Sequence, residues 1–560
     1  MAVAPLPLPE RDSIPSGTAA VSAIAPALSR TPESPSRTPY LTPLTMVAIA
    51  AVIISAASLI YFYANGMTNV YGDGIAHVNI ARKVVDSPDG SLWQRYIQIG
   101  SPWLPLQTVL MLPLVWNDWL WRTGLAGSIV SMVCFVVAAI AVYSIAEPIY
   151  SRAGVYKHYR SLPFLAAAVF LFNPGAAYIQ STPMTEMVFM AALSIAVLAL
   201  QRWVSLQTTR RLLAAGVATS VASLSRYEAW PVVAGAVGLV FLLSEGTLLR
   251  RLGRASSFAG IAVIGPAYWF WHNWAIYGNA LEFFNGPNSA RGIYLRNSSN
   301  LGWSKIFVGH LGLDVLLMLA AVAVCVGPLL VAAAFVGICA ILARRNRFDR
   351  SVIPVALLAI PFGFDLLGLY KGEIQIFPFS AFGLLNVRYG LPSLLLVAIL
   401  LPAVVVWFGR SGRWTPFAAV SLLVAAQYGI LISDGPSGMA LYQEGLRNGV
   451  NSQPARELSR AADYLAGHPP QAMILMQSGS LGPVVVKGGL RFKEVIHEGT
   501  AGWHQVIDHV PADIFTIVIQ SDDAVDYKIK GNPALEQDVE NNFGEEYRAG
   551  SIRILCRTSR

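Results

Sequence analysis

Four segments of this sequence place ionisable side chains where long apolar runs begin or end. The first is Tyr71-Gly72-Asp73-Gly74-Ile75-Ala76-His77, continuing through Val78 and Asn79 to Arg82. An Asp between two glycines, just beyond a membrane-length apolar run, has open backbone around it and sits at an interface where charge is expensive unless it is used. The same Asp also suits a helix N-terminus, where it caps well. The second segment runs from Asn173, Pro174, Gly175 and Tyr178 to Ser181-Thr182-Pro183-Met184-Thr185-Glu186. Glu186 falls in the first turn of an apolar helix, where the helix dipole favours an anion. The third, Ser225-Arg226-Tyr227-Glu228 with Trp230, is a tight connection in which Arg226 and Glu228 can simply pair with each other. The fourth, Asn386-Val387-Arg388-Tyr389-Gly390-Leu391-Pro392, puts an Arg immediately before an apolar run. A guanidinium there can snorkel to headgroups, and it is also the natural receptor for a lipid phosphate. Lys371 and the loop bases Arg291, Arg296 and Lys305 are weaker versions of the same idea.

Other chemistries find less support. His497, His504 and His509, with Glu498 and Asp508 between them, invite a metal reading, but their spacing matches no zinc pattern and solvated surface side chains account for them better. No Walker loop, dinucleotide fingerprint or Gly-x-Ser-x-Gly elbow appears in a supporting context.

The elements that must position these residues are membrane helices. The chain has 560 residues, of which 54% are hydrophobic and only 13% charged, with a formal charge of +8. Soluble domains carry about 25% charged residues, so a string of soluble domains is excluded, and disorder is excluded except locally. Of four Cys, Cys134, Cys325 and Cys339 lie in apolar runs and behave as small hydrophobes, which argues against a disulfide framework. Residues 1–40 are rich in Pro, Ser, Thr and Ala and read as a disordered cytoplasmic tail. The run Leu41–Tyr63 is too long and too far from the start for a signal peptide and reads as the first membrane helix. Residues 64–122 then form an outer loop with short interfacial helices. Ten further apolar runs follow, among them Leu162–Tyr178, Leu311–Leu342 and Val352–Tyr370, giving about eleven membrane helices over residues 41–433.

Positive charge near span ends marks the cytoplasmic side. Arg152–Arg160, Arg202–Arg211, Arg250–Arg254, Arg344–Arg350 and Arg410–Arg413 mark alternate loops as that face. The four segments above therefore share the outer face, and so does the remainder of the chain after an odd number of spans. Residues 434–560 read as a small extracytoplasmic α/β domain, with strand-like runs at Met473–Met476, Val484–Val486 and Phe515–Ile519 and helices around Arg456–Ala466 and Leu535–Phe543. It holds more carboxylates than bases, so nothing suggests nucleic-acid binding.

Taken in order, Tyr71 to Arg82, Gly100-Ser101-Pro102-Trp103-Leu104-Pro105-Leu106, Asn173-Pro174 with Thr182 to Glu186, Ser225 to Glu228, and Asn386 to Pro392 resemble the integral-membrane glycosyltransferases of the GT-C superfamily. The protein-mannosyltransferase and aminoarabinose-transferase type is the nearest in pattern. The resemblance covers roughly Leu41 to Phe408. It implies an all-α polytopic membrane fold and a donor sugar carried on a polyprenyl phosphate. It makes Asp73 the counterpart of the family's acidic residue in the first outer loop, taken as the catalytic base. Glu186 becomes a second acid near the site and Arg388 a phosphate contact. His77, Arg226, Glu228, Tyr389, Lys371 and Arg291 join as candidate donor-binding residues. Family members often carry a second acid beside that Asp, where Gly74 stands here. Because the leaving group is already a stabilised phosphate anion, a divalent metal ion is helpful to the reaction without being obligatory.

The implied activity is inverting transfer of a sugar, a hexosyl or pentosyl group, from the lipid carrier to a hydroxyl of a glycan, lipid or protein acceptor at the outer face of the plasma membrane. A transporter or flippase of lipid-linked sugars is the alternative. It would show internal repeats and ionisable groups near mid-membrane, whereas the acids here fall at span ends. A non-catalytic assembly protein is a third option.

Overall fold

Helix α1, Pro43–Ala64, is apolar on every side and only a few of its residues, such as Val47 and Ala51, are buried against the rest of the chain. In a computed structural model, the structure describes residues 41–87, 90–153, 157–297, 302–379, 383–408, 414–470 and 472–558. The expected tail, residues 1–40, lies outside them. The chain divides into two units, residues 1–42 and Pro43–Arg560, and the second holds everything that follows.

Among the described residues, five helices are long and apolar enough to cross a membrane: Pro43–Ala64, Leu125–Ser151, Glu186–Leu206, Arg350–Lys371 and Val387–Phe408. The chain is a multi-pass membrane protein of largely helical build. Several apolar runs that read as single spans are broken. Leu311–Leu342 folds as two helices, Leu311–Val326 and Pro328–Ala343, bent by 106°. The break is local chemistry: Gly327 has φ of 107°, which side chains avoid, and Pro328 can only begin a new helix. Leu162–Tyr178 stops at Leu171, after which the Asn173 side chain caps a new short helix at the Ala176 N–H, 2.8 Å away. The Val352–Tyr370 run stays one span, Arg350–Lys371, but begins as 3-10 helix around Pro354 before the α-helix Ile360–Lys371. Shorter apolar helices include Tyr159–Leu171, Ala229–Leu243 and Thr415–Leu431.

The stretch after α1 folds into short helices, of which α2, Gly72–Asp86, is the longest, with Leu92–Ile97, Leu106–Met111 and Asp118–Arg122 following. Its side chains divide by helical spacing. Ile75, Val78 and Ala81 face a core shared with Leu481, Val484 and Val485 near the C-terminus. Asp73 and His77, four residues apart, lie on another face.

The C-terminal part is a mixed α/β domain with a five-stranded sheet of order β2-β1-β3-β5-β4. Its strands are β1 (Ile474–Met476), β2 (Val495–Ile496), β3 (Thr516–Gln520), β4 (Phe543–Ala549) and β5 (Ile552–Arg557). β1 runs parallel to β2 and β3, while β5 is antiparallel to β3 and β4. Val484–Val486, expected as a strand, lies instead inside the helix Ser478–Lys487, where all three side chains are buried. A short apolar run flanked by buried surface on both sides does not distinguish strand from helix. The sheet domain starts later than position 434: Met439 and Leu441 pack in the core of the membrane domain.

The sheet domain docks on the loop that carries α2. Arg122 donates to the carbonyls of Val486, Gly489 and Leu490, each at 2.9 Å. Arg491 pairs with Asp118 at 2.8 Å, and Lys83 of α2 meets Glu498 at 3.3 Å. His497 beside it is buried and its Nδ1 accepts the Gly499 N–H at 3.0 Å, which requires that nitrogen to be unprotonated. Burial, helped by the Lys83 charge, lowers the His497 pKa to about 3. For Glu498, burial opposes the carboxylate, but the Lys83 charge and the Ser478 hydrogen bonds outweigh it and hold its pKa below the ordinary value. Both groups bind protons more readily once the packing around them is lost, so both make that packing weaken as pH falls. The His497 contribution is fully present above its unperturbed value of 6.5 and fades as pH falls below it; that of Glu498 is lost only further down, below the ordinary carboxylate value of 4.5. Protease protection of the C-terminal domain in the full-length protein should therefore hold at pH 7 and fall steadily below pH 6. Protection unchanged down to pH 4 would contradict this assignment.

Candidate active site

Asp73 stands in the first turn of α2 but does not cap it; Tyr71 holds the N-cap position, with no side-chain bond. The Asp73 carboxylate instead accepts a hydrogen bond from Arg388 Nη2. Arg388 is presented by the Val387–Gly390 turn, which follows Asn386 in left-handed conformation, φ 53°. Two more acids share its guanidinium: Glu186 Oε1 lies 3.2 Å from Nε, and Glu444 Oε1 accepts from Nη1 at 3.1 Å. Glu186 and Glu444 side chains are 1% and 2% exposed, whereas that of Asp73 is 46% exposed. The cluster thus has two buried acids behind Arg388 and one acid at its open side.

Gly74 explains how these segments meet. A Cβ at this position would come within 2.9 Å of Pro183 Cγ and 3.3 Å of the Met184 sulfur. The absent side chain lets α2 approach the Pro183–Glu186 turn, and with it Glu186. A larger residue, such as the second acid common in the GT-C pattern, would meet that turn.

Arg226 forms a second centre beside the first. It donates to Glu228 Oε1 at 2.6 Å, to Glu186 Oε1 at 3.0 Å and to Thr185 Oγ1 at 3.0 Å. The pairing of Arg226 with Glu228 is therefore present, and Glu186 joins it to Arg388. Burial opposes the Arg226 charge, but Glu228 and Glu186 more than offset this and raise its pKa well above the ordinary value. The Tyr389 ring lies against both guanidinium groups, 4.9 Å from that of Arg226 and 5.7 Å from that of Arg388, in cation–π geometry. His77 is buried against Trp103, with ring centroids 4.6 Å apart. Burial lowers its pKa to about 4, though Asp73 acts in the opposite sense, so it is neutral at pH 7.

Two members of the cluster escaped sequence reasoning. Glu444 ends the short helix Ala440–Glu444 and also accepts the Asn386 N–H at 2.7 Å, holding the turn that carries Arg388. Burial raises its pKa, with Arg388 and Asn386 pulling the other way. It lay in a stretch assigned to the outer domain, and no local pattern marked it. Asp365, buried within the Ile360–Lys371 helix, interacts electrostatically with Glu228 and Arg226. An acid inside an apolar run was a signal available in the sequence.

Lys371 and Arg291 do not join the cluster. Lys371 ends its helix exposed, and Arg291 lies over the Phe284 ring at 5.5 Å. Among the described residues, no group of three or more His, Cys, Asp or Glu side chains is placed to hold a metal ion. The buried acids converge on guanidinium groups, so this donor set does not fit a metal.

Chemically, the arrangement offers a half-exposed carboxylate next to fixed guanidinium charge, at the ends of membrane helices. The fold is similar to that of a crystal structure of ArnT from Cupriavidus metallidurans bound to undecaprenyl phosphate, with a TM-score of 0.54 and 11% identity over 92% of this chain and 98% of that one. At that identity the likeness shows the fold alone. Weaker likenesses are to ArnT from the same organism in the apo state (TM-score 0.47, 13% identity, 91% and 98% covered) and to the archaeal oligosaccharyltransferase AglB from Archaeoglobus fulgidus in complex with an inhibitory peptide and a dolichol-phosphate (0.44, 12%, 91% and 74%). No protein-family model matches the chain, and no curated protein sequence does.

Proposed function

We propose that this protein is an inverting glycosyltransferase that moves a hexosyl or pentosyl group from a polyprenyl phosphate to an acceptor hydroxyl at the outer face of the plasma membrane. The observation that carries the reading is the Asp73–Arg388 pair, with its acid on the open side and its cation held from behind by Glu186 and Glu444. The fold likeness to a protein bound to undecaprenyl phosphate supports the class of donor. A lipid carrier also gives a reason for building the catalyst into a membrane, since the prenyl chain stays in the bilayer while its head reaches the helix ends.

In this reading, residues 41–433, completed by the Ala440–Glu444 helix that returns to the Arg388 cluster, are the catalytic membrane domain. The shorter and broken apolar helices complete about eleven crossings, which puts the N-terminus in the cytoplasm and residues 434–560 outside. The acceptor hydroxyl attacks the anomeric carbon on the face opposite the phosphate. Asp73 takes the hydroxyl proton, the bond from anomeric carbon to phosphate oxygen breaks, and the electron pair leaves with the phosphate. Arg388 and Arg226, stacked on Tyr389, stabilise that departing charge. Such a leaving group is already a stabilised anion, so the step needs no metal. A flippase would place its ionisable groups along a path through the membrane, whereas Asp73, Glu186 and Arg388 all lie at helix starts.

Mass spectrometry of cells with and without the protein tests the reading. One polyprenyl-phosphate-linked sugar should accumulate when the protein is absent, and the same sugar should disappear from an envelope glycan, lipid or protein. Unchanged pools of both would sink it.

A further inference from the structure

We propose that the donor's phosphate and Asp73 compete for one edge of Arg388, so that arrival of the phosphate is what frees the base. This deepens the carrier-lipid reading above and rests on it.

A guanidinium has a fixed set of N–H groups in one plane. Of the five N–H groups on Arg388, one on Nη1 goes to Glu444 and one on Nη2 to Asp73, while Nε faces Glu186 at 3.2 Å without forming a hydrogen bond. The two glutamates are buried and held a second time, Glu444 by the Asn386 N–H and Glu186 by Arg226. Asp73 is half exposed, and among the described residues its carboxylate has no other hydrogen bond or ion pair. Of the three acids, only Asp73 can therefore leave Arg388 without stranding a buried charge, which makes its edge the one that opens to solvent.

Charge points the same way. Asp73, Glu186, Glu228 and Glu444 already surround the two guanidinium groups of Arg226 and Arg388. A phosphate added beside a paired Asp73 would meet uncompensated like charge; one that replaces Asp73 at Nη2 leaves the balance at Arg388 unchanged. Released from the guanidinium, the Asp73 carboxylate has its lone pairs free for the acceptor's proton. The order of events follows: phosphate binds and Asp73 lets go. The acceptor oxygen then bonds the anomeric carbon as its proton passes to Asp73, and the carbon–phosphate oxygen bond breaks. When the polyprenyl phosphate leaves and Asp73 loses its proton to water, the pair with Arg388 re-forms. An enzyme built this way has an inactive base until its donor is seated, which limits wasteful proton transfer in its absence.

The test is binding of undecaprenyl phosphate to the full-length protein in nanodiscs of zwitterionic lipid, followed by intrinsic Trp fluorescence and by native mass spectrometry. Asp73→Asn should bind it about tenfold more tightly than the wild type, because a charged competitor is gone, even though this variant transfers sugar far more slowly. Asp73→Ser, which cannot reach Arg388, should bind at least as tightly and guards against an effect peculiar to Asn. Equal or weaker binding by both variants, with saturable wild-type binding, would overturn the exchange while leaving the carrier reading intact. Absence of saturable binding by every form would overturn both. Inorganic phosphate supplies the remaining arm. Competition only at millimolar concentration supports a lipid headgroup as the natural occupant; competition as strong as that of the lipid would overturn the donor as the trigger.

Discussion

Asp73→Asn is expected to reduce sugar transfer by about 10²- to 10⁴-fold, the usual loss when a general base is removed, while the protein inserts and accumulates as the wild type does. The two halves of this expectation come from different features of the site. Asn keeps the size of Asp and an oxygen that can accept from Arg388, but it cannot take a proton. Structurally little is at stake, because Asp73 is half exposed and an ion pair open to solvent contributes only about 0–1 kcal/mol. Arg388 keeps its buried partners Glu186 and Glu444 in the variant. Initial rates in membrane vesicles, normalised to protein abundance, measure the first half; melting of purified protein measures the second. Undiminished transfer would remove Asp73 as base. Lost transfer accompanied by lost protein would show that the carboxylate acts through the fold.

The contrast between Asp73 and Glu444 shows what could be read from the chain and what could not. Asp73, Glu186, Arg226, Glu228, Arg388 and Tyr389 were each visible because each breaks an apolar run at its edge, and a charge in such a position is costly unless partnered. That they lie together in one cluster depends on helix packing, and the close approach at Gly74 is a contact no local pattern encodes. Glu444 follows the last apolar run and looks like any acid of a soluble segment; only the return of Ala440–Glu444 into the membrane domain's core makes it a partner of Arg388. Lys371 and Arg291 failed to join for the converse reason, since an interfacial base has water and headgroups within reach and needs no buried partner. In the fold, apolar length marked the membrane helices well. It could not register the bend at Gly327, where one backbone angle decides whether a long run crosses straight or folds back. Nor could the alternation of a short run decide Val484–Val486, whose three side chains are all buried.

Arg388→Gln should behave quite differently from Asp73→Asn, with loss of folded protein as well as of activity. Removing this guanidinium leaves Glu186 without one of its two cations and Glu444 without its only described ion pair. Breaking a buried pair by deleting one partner costs about 3–5 kcal/mol, because the other charge stays behind in a medium that solvates it poorly. The cluster is especially exposed to this loss, since Glu186 Oε2 and Glu444 Oε2 are already buried without hydrogen-bond partners. Abundance of the variant in membranes and its melting temperature should both drop. Pairing it with Glu444→Gln tests the cause: the double variant removes the stranded charge, so abundance should recover part of the way, while transfer stays poor because Arg226 alone is left to meet the phosphate. Arg388→Lys should accumulate better than Arg388→Gln yet remain poor in transfer, as a point charge on a flexible stem cannot serve several acids and a phosphate in one plane. If Arg388→Gln accumulated like the wild type, the buried acids would have to be neutral in the resting protein. The account of Arg388 as a cation fixed from behind and open in front would then fail.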